Sequence, residues 1–497
     1  MKDHTTGAVP MKLSDATLGQ LPASIKVPSY DRSVLTPGMV HIGLGNFHRA
    51  HQAWYLHTLM QMGLDHDWAI IGAGVRAPDA KMRDRLAGQD FLTTLVELDP
   101  QDVSFEVCGS MIGFVPVEPN NTALIAQMAD PAIRIVSLTV TEGGYFTDEA
   151  GDFDASHPDI QHDIANPTTP VTAFGAIIEA YRQRRAAGER PFTSLCCDNL
   201  QGNGDILKQT VLGLAALIDA DLAAWIDANA TFPNTMVDCI VPATGETELA
   251  MVRDAGIEDA APVTHERFRQ WVIEDNFCNG RPAWEKAGAT LTDNVHAYEA
   301  MKIRVLNAGH QVLANVGEIL GLETIADCMS DPMVSAFLRK VETDEILPYI
   351  GSVPGVTPTE YLALIEERFA NPRILDTTRR VAFDGSSRHP GFVLPILRDA
   401  IAAEETIEGL SLVEALWAHM CAGRREDGTL IEPNDPEWDD LHEAAKAAST
   451  DAGRWTGQTH IYSDLSANAR FNANFSKWLA MLNSLGARKT LDYYLSA

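Results

Sequence analysis

Up to about residue 290 the hydrophobic positions fall in short runs bounded by glycine, proline and acidic residues, not in helical stripes. Residues 38–45 (GMVHIGLG) predict an apolar strand entering a glycine turn, and residues 47–63 predict a helix stopped by Gly63. Residues 68–75 (WAIIGAGV) predict a second apolar strand, followed by a charged helix over 78–86. Strand, glycine turn, helix, strand is the order of a parallel βαβ unit. Residues 91–98 and 103–117 alternate with period two, with breaks at Gly109 and Gly113, and predict an antiparallel excursion. Apolar strands follow at 133–140, 192–197 and 235–241, a further apolar stretch at 271–273, and an amphipathic helix covers 172–187.

From Asn294 onward the period is 3.6 and β-branched runs are scarce. The change of character places a domain boundary near 285–295. The expected fold class is α/β plus all-α: residues 1–290 as an α/β domain with a polar leader, and residues 291–497 as a mainly helical one.

Composition narrows the function classes. A chain of 497 residues is too long for one core, which agrees with two domains. A formal charge of -30 argues against a nucleic-acid partner or an anionic membrane surface, since either requires clustered Lys and Arg. The seven cysteines include the adjacent pair Cys196 and Cys197 but no C-x-x-C, so neither a disulfide framework nor a structural zinc site is expected. The first residues, Met1 to Thr5, lack the charged and apolar regions of a signal peptide. The run 211–230 is interrupted by Asp219, Asp221 and Asp227 and cannot span a bilayer. The expected compartment is the cytoplasm.

Gly43-Leu44-Gly45-Asn46-Phe47-His48 matches the first part of a G-x-G-x-x-G dinucleotide turn, with His48 in place of the third glycine. Two glycines permit a tight turn and close approach to a pyrophosphate, which the amides of the next helix would receive. Asn46 and Phe47 belong to this turn, and Arg49 is placed for a direct phosphate contact. After the second strand, Asp79 is either a ribose acceptor or a helix cap. Arg76 would suit a 2′-phosphate. NAD is expected over NADP.

The segment 298–310 (YEAMKIRVLNAGH) carries a lysine, an amide and an imidazole at spacings of five and three. At ~100° per residue, Glu299, His310 and Asn307 lie roughly 60°, 80° and 140° from Lys302, on one face. Taken alone, this is either a Glu299–Lys302 surface pair with a core histidine, or a working lysine buried at a site. Strand ends carry Thr141-Glu142-Gly143-Gly144, Asp198-Asn199 and Asp238, where ligands of open parallel sheets bind. Each is also an ordinary strand stop. Residues 379–390 (RRVAFDGSSRHP) hold guanidiniums and hydroxyls suited to a polyhydroxylated or anionic ligand, or to a solvated loop.

Together, HIGLGNFHRAHQAWY, SLTVTEGGY, CDNLQGNG, MVDCIVP, NGRPAWEK, YEAMKIRVLNAGH and DGSSRHP resemble the polyol-specific long-chain dehydrogenases, the mannitol 2-dehydrogenase family, over nearly the whole chain. The resemblance implies a Rossmann-type domain, a helical domain and a metal-free site between them. It implies Lys302 as general base and Asn199 and Asn307 as ligands of the reacting oxygen. His310 would orient the substrate, and Asp238, Arg380 and Arg388 would contact its hydroxyls. Glu299 would pass protons between Lys302 and solvent, and Asp79 would bind the ribose of NAD. Gly43, Gly45 and Glu142 fall on the cofactor side. Pro78 stands where a second acid is common, which weakens the NAD preference. Arg388 stands where mannitol enzymes commonly carry lysine.

The implied reaction converts a sugar alcohol and its ketose, D-mannitol to D-fructose first. Fructuronate or tagaturonate reduction and D-arabinitol oxidation are the alternatives, and an arginine at position 388 would suit a carboxylate. Two amides on a developing alkoxide act as an oxyanion hole, worth about 3–4 kcal/mol per donor. With lysine they stand in for a Lewis acid. A nucleotide-binding scaffold without chemistry would be expected to lack one of these groups. A 2-hydroxy-acid or phosphogluconate-type dehydrogenase would be expected to complete the glycine triplet. The expected partner is a small sugar substrate, in a monomer or small homo-oligomer.

Overall fold

The computed structural model describes residues 10–148 and 151–497. The signal-peptide expectation at residues 1–5 lies outside the described residues, as does the side chain of Glu142. Packing divides the chain into two compact units, Met1–His296 and Ala297–Ala497. The α/β plus all-α class is what the chain adopts.

The first unit is built on a five-stranded parallel sheet, in the order Met111–Phe114, Ala69–Ala73, Pro37–Ile42, Ile135–Leu138 and Thr193–Cys196. Its strands are apolar runs because both faces are covered. Val40, Ile42, Val136, Leu138 and Cys196 pack with the helices Thr122–Ala129, Ala173–Ala187 and Asn203–Ile218. Their alternates Met39, Ile135 and Leu195 pack on the other side with helix Gln52–Gln61 and with Trp271 and Trp284. Period two thus divides each strand between two cores.

The antiparallel excursion is real but shorter than expected. Thr93–Leu98 pairs antiparallel with Val103–Cys108, and Met111–Phe114 then leaves to join the main sheet. The corner is held by Arg32, whose guanidinium donates to the carbonyls of Gly109 (2.9 Å) and Met111 (2.7 Å).

Thr235–Asp238 is a correction to the expected strand edge. It lies in a separate three-stranded sheet, antiparallel to Gln270–Glu274, and does not extend the parallel one. Thr231 still accepts from the Ser194 amide (3.1 Å), but Pro233 has no N–H to continue that ladder.

The second unit is helical. Helix Ala308–Leu320 is buried along most of its length and packs against Pro332–Val341, Thr378–Ala382 and Glu408–Cys421. Glu408–Cys421 packs in turn on Ala469–Leu485. Three stretches are π-helical: Lys302–Asn307, Glu342–Ile346 and His389–Val393. The latter two both pack on the first. No helix among the described residues is long and apolar enough to cross a membrane.

Candidate active site

In the first unit the glycine turn follows the first strand of the sheet. Gly43 has φ +90°, and a Cβ there would run into the Thr139 carbonyl, so only glycine fits. Gly45 faces open space, its nearest neighbour being the Gly43 carbonyl at 4.0 Å from a would-be Cβ. This exposed backbone gives a pyrophosphate room to approach, and the turn fits a dinucleotide. The following helix is split into Asn46–Ala50 and Gln52–Gln61 by His51, at φ −117°, ψ −90°.

His48 does the work of the missing third glycine differently. Its ring is fully buried and stacks on His41 at 3.4 Å, and His41 bonds Ser137 Oγ (2.8 Å) and Thr139 Oγ1 (2.9 Å). Burial holds His41 down at about 3 and His48 well below the usual histidine range, so two neutral rings can stack without charge repulsion.

Arg49 departs from its expected role. It is 1% exposed, and its guanidinium donates to the Gly45 carbonyl (3.2 Å), Asn46 Oδ1 (2.7 Å) and the Ala261 carbonyl. It braces the turn from inside instead of facing a phosphate. Asn46 is fixed on its other side by Thr244 Oγ1 (3.1 Å), and Phe47 stacks on His51. Asp79 opens helix Asp79–Ala87, its Oδ2 accepting from the Arg76 amide (3.0 Å), and lies against Gly74 just past the second strand.

The carboxyl ends of three strands are cross-tied by side chains. Thr139 Oγ1 donates to the Gly43 carbonyl (2.8 Å). Asp198 accepts from the amides of Val140 (2.9 Å) and Thr141 (3.0 Å) and from the Tyr145 hydroxyl (2.5 Å). Asn203 Nδ2 donates to the carbonyls of Asp198 (3.0 Å) and Thr235 (2.9 Å). This lattice presents Asn199, which is exposed, and Glu142, which opens the turn Glu142–Tyr145. Asp238 is buried at the end of its own strand.

In the second unit Lys302 is 8% exposed and Glu299 3%, so the lysine is no surface residue. The uniform helical wheel expected for this segment needs correcting, because Lys302–Asn307 is a π-turn. Its i→i+5 bonding puts Asn307 one turn along from Lys302 instead of well round the helix. Arg304 points elsewhere and pairs with Asp399 at 2.6 Å.

His310, one turn further on, stacks on Phe369 at 4.3 Å. Its Nε2 lies 3.6 Å from Asp376 Oδ2. Burial pushes its pKa down to about 4; the Asp376 carboxylate opposes that shift, and Arg380, Arg368 and Arg388 add to it. Arg380 is held by Asp376, and Arg388 donates to the Val381 carbonyl (2.6 Å). His310 and Arg380 therefore flank one carboxylate, and Arg388 lies within electrostatic range of the histidine.

Asp376, Asp198 and Asn203 were not singled out by chemistry in the sequence. Asp198 and Asn203 sit inside CDNLQGNG, where they look like a strand stop and a loop. Asp376 precedes Thr377, a plain helix cap. Among the described residues no group of three or more His, Cys, Asp or Glu side chains is arranged to hold a metal.

Two family models match: the mannitol dehydrogenase Rossmann domain over residues 37–286 and the mannitol dehydrogenase C-terminal domain over residues 294–483. Mannitol 2-dehydrogenase of Cereibacter sphaeroides is 52% identical over 95% of this chain and 99% of its own. The Pseudomonas fluorescens mannitol 2-dehydrogenase, solved with NAD and D-mannitol, has a TM-score of 0.87 at 41% identity, covering 98% of this chain and 100% of that one. A D-sorbitol dehydrogenase in substrate-free form has a TM-score of 0.90 at 33% identity, covering 97% and 100%.

Proposed function

The chain belongs to the mannitol dehydrogenase family and is an NAD-dependent polyol dehydrogenase; from that premise we propose that its substrate pair is D-mannitol and D-fructose, with Lys302 as general base and no metal. The observation that carries this is the buried Lys302 one π-turn from Asn307. NAD, when bound, supplies the two-electron acceptor. Every other task falls to the chain. Lys302, buried on the helix, takes the proton of the reacting hydroxyl. The side-chain amides of Asn307 and Asn199 donate to that oxygen as negative charge grows on it. Glu299, buried three residues before Lys302, moves the proton on towards solvent. Asp238, Arg380, Arg388 and His310 bind the remaining hydroxyls.

A second substrate class is favoured by one observation. Arg368, Arg380 and Arg388 all bear electrostatically on His310, and Asp376 opposes them. Guanidiniums placed around this histidine suit a substrate ending in a carboxylate, as in fructuronate or tagaturonate. NADH absorbance followed with mannitol, arabinitol, sorbitol, fructose and fructuronate in turn separates the two. Turnover of mannitol and fructose is expected, and activity with the uronate alone would overturn it. In the same assay Lys302→Ala should lose turnover by orders of magnitude while NAD affinity is kept. Near-normal turnover would remove Lys302 as the base.

A further inference from the structure

We infer that Asp376 is a positioning residue that sets how His310 and Arg380 present themselves to the polyol; the inference rests on the reading of those two as polyol-contacting groups. Asp376 is 5% exposed. Its Oδ1 accepts from Arg380 Nε (2.9 Å) and from a terminal guanidinium nitrogen (2.5 Å). Among the described residues its buried Oδ2 takes no hydrogen bond, and it faces the buried His310 Nε2, which likewise has no hydrogen-bond partner there. At 3.6 Å the two do not bond, so a donor and an acceptor confront each other across a gap slightly too wide. Buried polar atoms left this way are costly, and polar contacts at active sites often tighten only when substrate binds.

The gap can close in one way. His310 lies flat on Phe369, with rings 20° from parallel, so the imidazole can slide in its own plane but cannot tip. Asp376 itself is anchored: its carbonyl accepts from the Ile325 amide (2.9 Å), and Thr377 Oγ1 caps the next helix through the Arg380 amide (3.2 Å). The histidine therefore moves to the carboxylate. Burial keeps His310 neutral near pH 7, with a single N–H to place. A carboxylate opposite Nε2 draws that proton to Nε2 and leaves Nδ1 as a lone-pair acceptor for a substrate hydroxyl.

The other carboxylate oxygen meanwhile holds one edge of the Arg380 guanidinium, leaving its outer donors for a neighbouring oxygen. One acceptor beside one fork of donors matches two adjacent hydroxyl groups. Asp376 thus turns two separate side chains into a reader of a vicinal diol.

The experiment is steady-state kinetics on the full-length enzyme with NAD and the polyol it turns over, for Asp376→Asn, Asp376→Glu, His310→Ala and Arg380→Ala. In Asp376→Asn the new amide would donate to Nε2 and force the proton onto Nδ1, the wrong tautomer. The expected result is a polyol KM raised at least tenfold, an NAD KM unchanged, and partial recovery in Asp376→Glu. A polyol KM left unchanged in Asp376→Asn while Arg380→Ala raises it overturns the inference and leaves the site reading intact. Equal rises in the polyol and NAD KM reduce Asp376 to a structural role and also overturn it. Flat values in His310→Ala and Arg380→Ala would overturn the site reading, and this inference with it.

Discussion

At the residue scale, Thr141 is strained. Its φ of 71° and ψ of 157° lie in a region that is essentially glycine territory, and it is β-branched. Residues held so cost about 1–3 kcal/mol and persist only where the surroundings over-determine them. Here the over-determination is visible: the Asp198 carboxylate grips the amides of Val140 and Thr141 and the hydroxyl of Tyr145. The strain falls at the carboxyl edge of the sheet, beside the turn that begins with Glu142. Thr141→Gly should therefore relieve strain and raise stability by about 1 kcal/mol once the entropy of glycine is subtracted. It should also loosen the turn and weaken NAD binding several-fold. Thermal melts and NAD titration check the two halves together, and a variant that is less stable and binds NAD normally would contradict both.

At the scale of elements, small residues decide how closely helices pack in the second unit. Gly385 opens the short helix Gly385–Arg388, and a Cβ on it would sit 2.6 Å from the indole nitrogen of Trp417. That indole cannot yield, since it stacks on His389 at 4.2 Å and meets Trp455 edge-on. His389 is held in turn by Glu414 (2.7 Å) and Asn315 (3.1 Å), all fully or nearly fully buried. Gly385→Ala should destabilise the second unit by about 1–3 kcal/mol through overpacking, lowering its melting temperature by several degrees. Because the displaced helix ends at Arg388, the polyol KM should rise as well. An unchanged melt would show that the helix has more freedom than the packing implies.

Strands and helices were legible because each rests on a run-and-stop pattern that burial on two faces demands. The π-turn was not. Val305 and Leu306 are only 0% and 6% exposed, which an α-helix would also give, so the hydrophobic pattern carries no trace of the widened turn. Likewise nothing in Ile374-Leu375-Asp376-Thr377 separates a cap-flanking carboxylate from one that reaches back 66 positions to His310. The candidate groups can be named from the chain; the contacts that carboxylates such as Asp198 and Asp376 make with distant residues are set by tertiary packing.

At the scale of the whole molecule, acidity and buried histidines act in opposite directions. The net charge of -30 keeps the chain soluble at neutral pH and falls as carboxylates protonate. Burial depresses His41 and His265 to about 3, His310 to about 4, and His48 well below its usual value. In each case the unfolded chain takes the proton first. The stability these neutral rings provide is thus complete above the unfolded value near 6.5 and is lost as the pH falls through each folded value, about 4 for His310 and about 3 for His41 and His265. Each group costs about 1.4 kcal/mol per pH unit within that window. Three of these four lie in the first unit, whose urea midpoint should therefore be lower at pH 5 than at pH 7.5. A urea midpoint that does not move between those values would show that the rings are solvated after all.

The π-turn at Lys302–Asn307 has one more consequence, and it concerns counting. A widened turn absorbs an extra residue, and each residue of an ordinary helix turns the chain by ~100°. His310 therefore points where it does because of how many residues precede it, whatever those residues are. Ile303, Arg304 and Val305 are spacers in this sense. Their number aims His310 apart from any contacts they make themselves, and a segment exchanged with a relative must match in length as well as in chemistry.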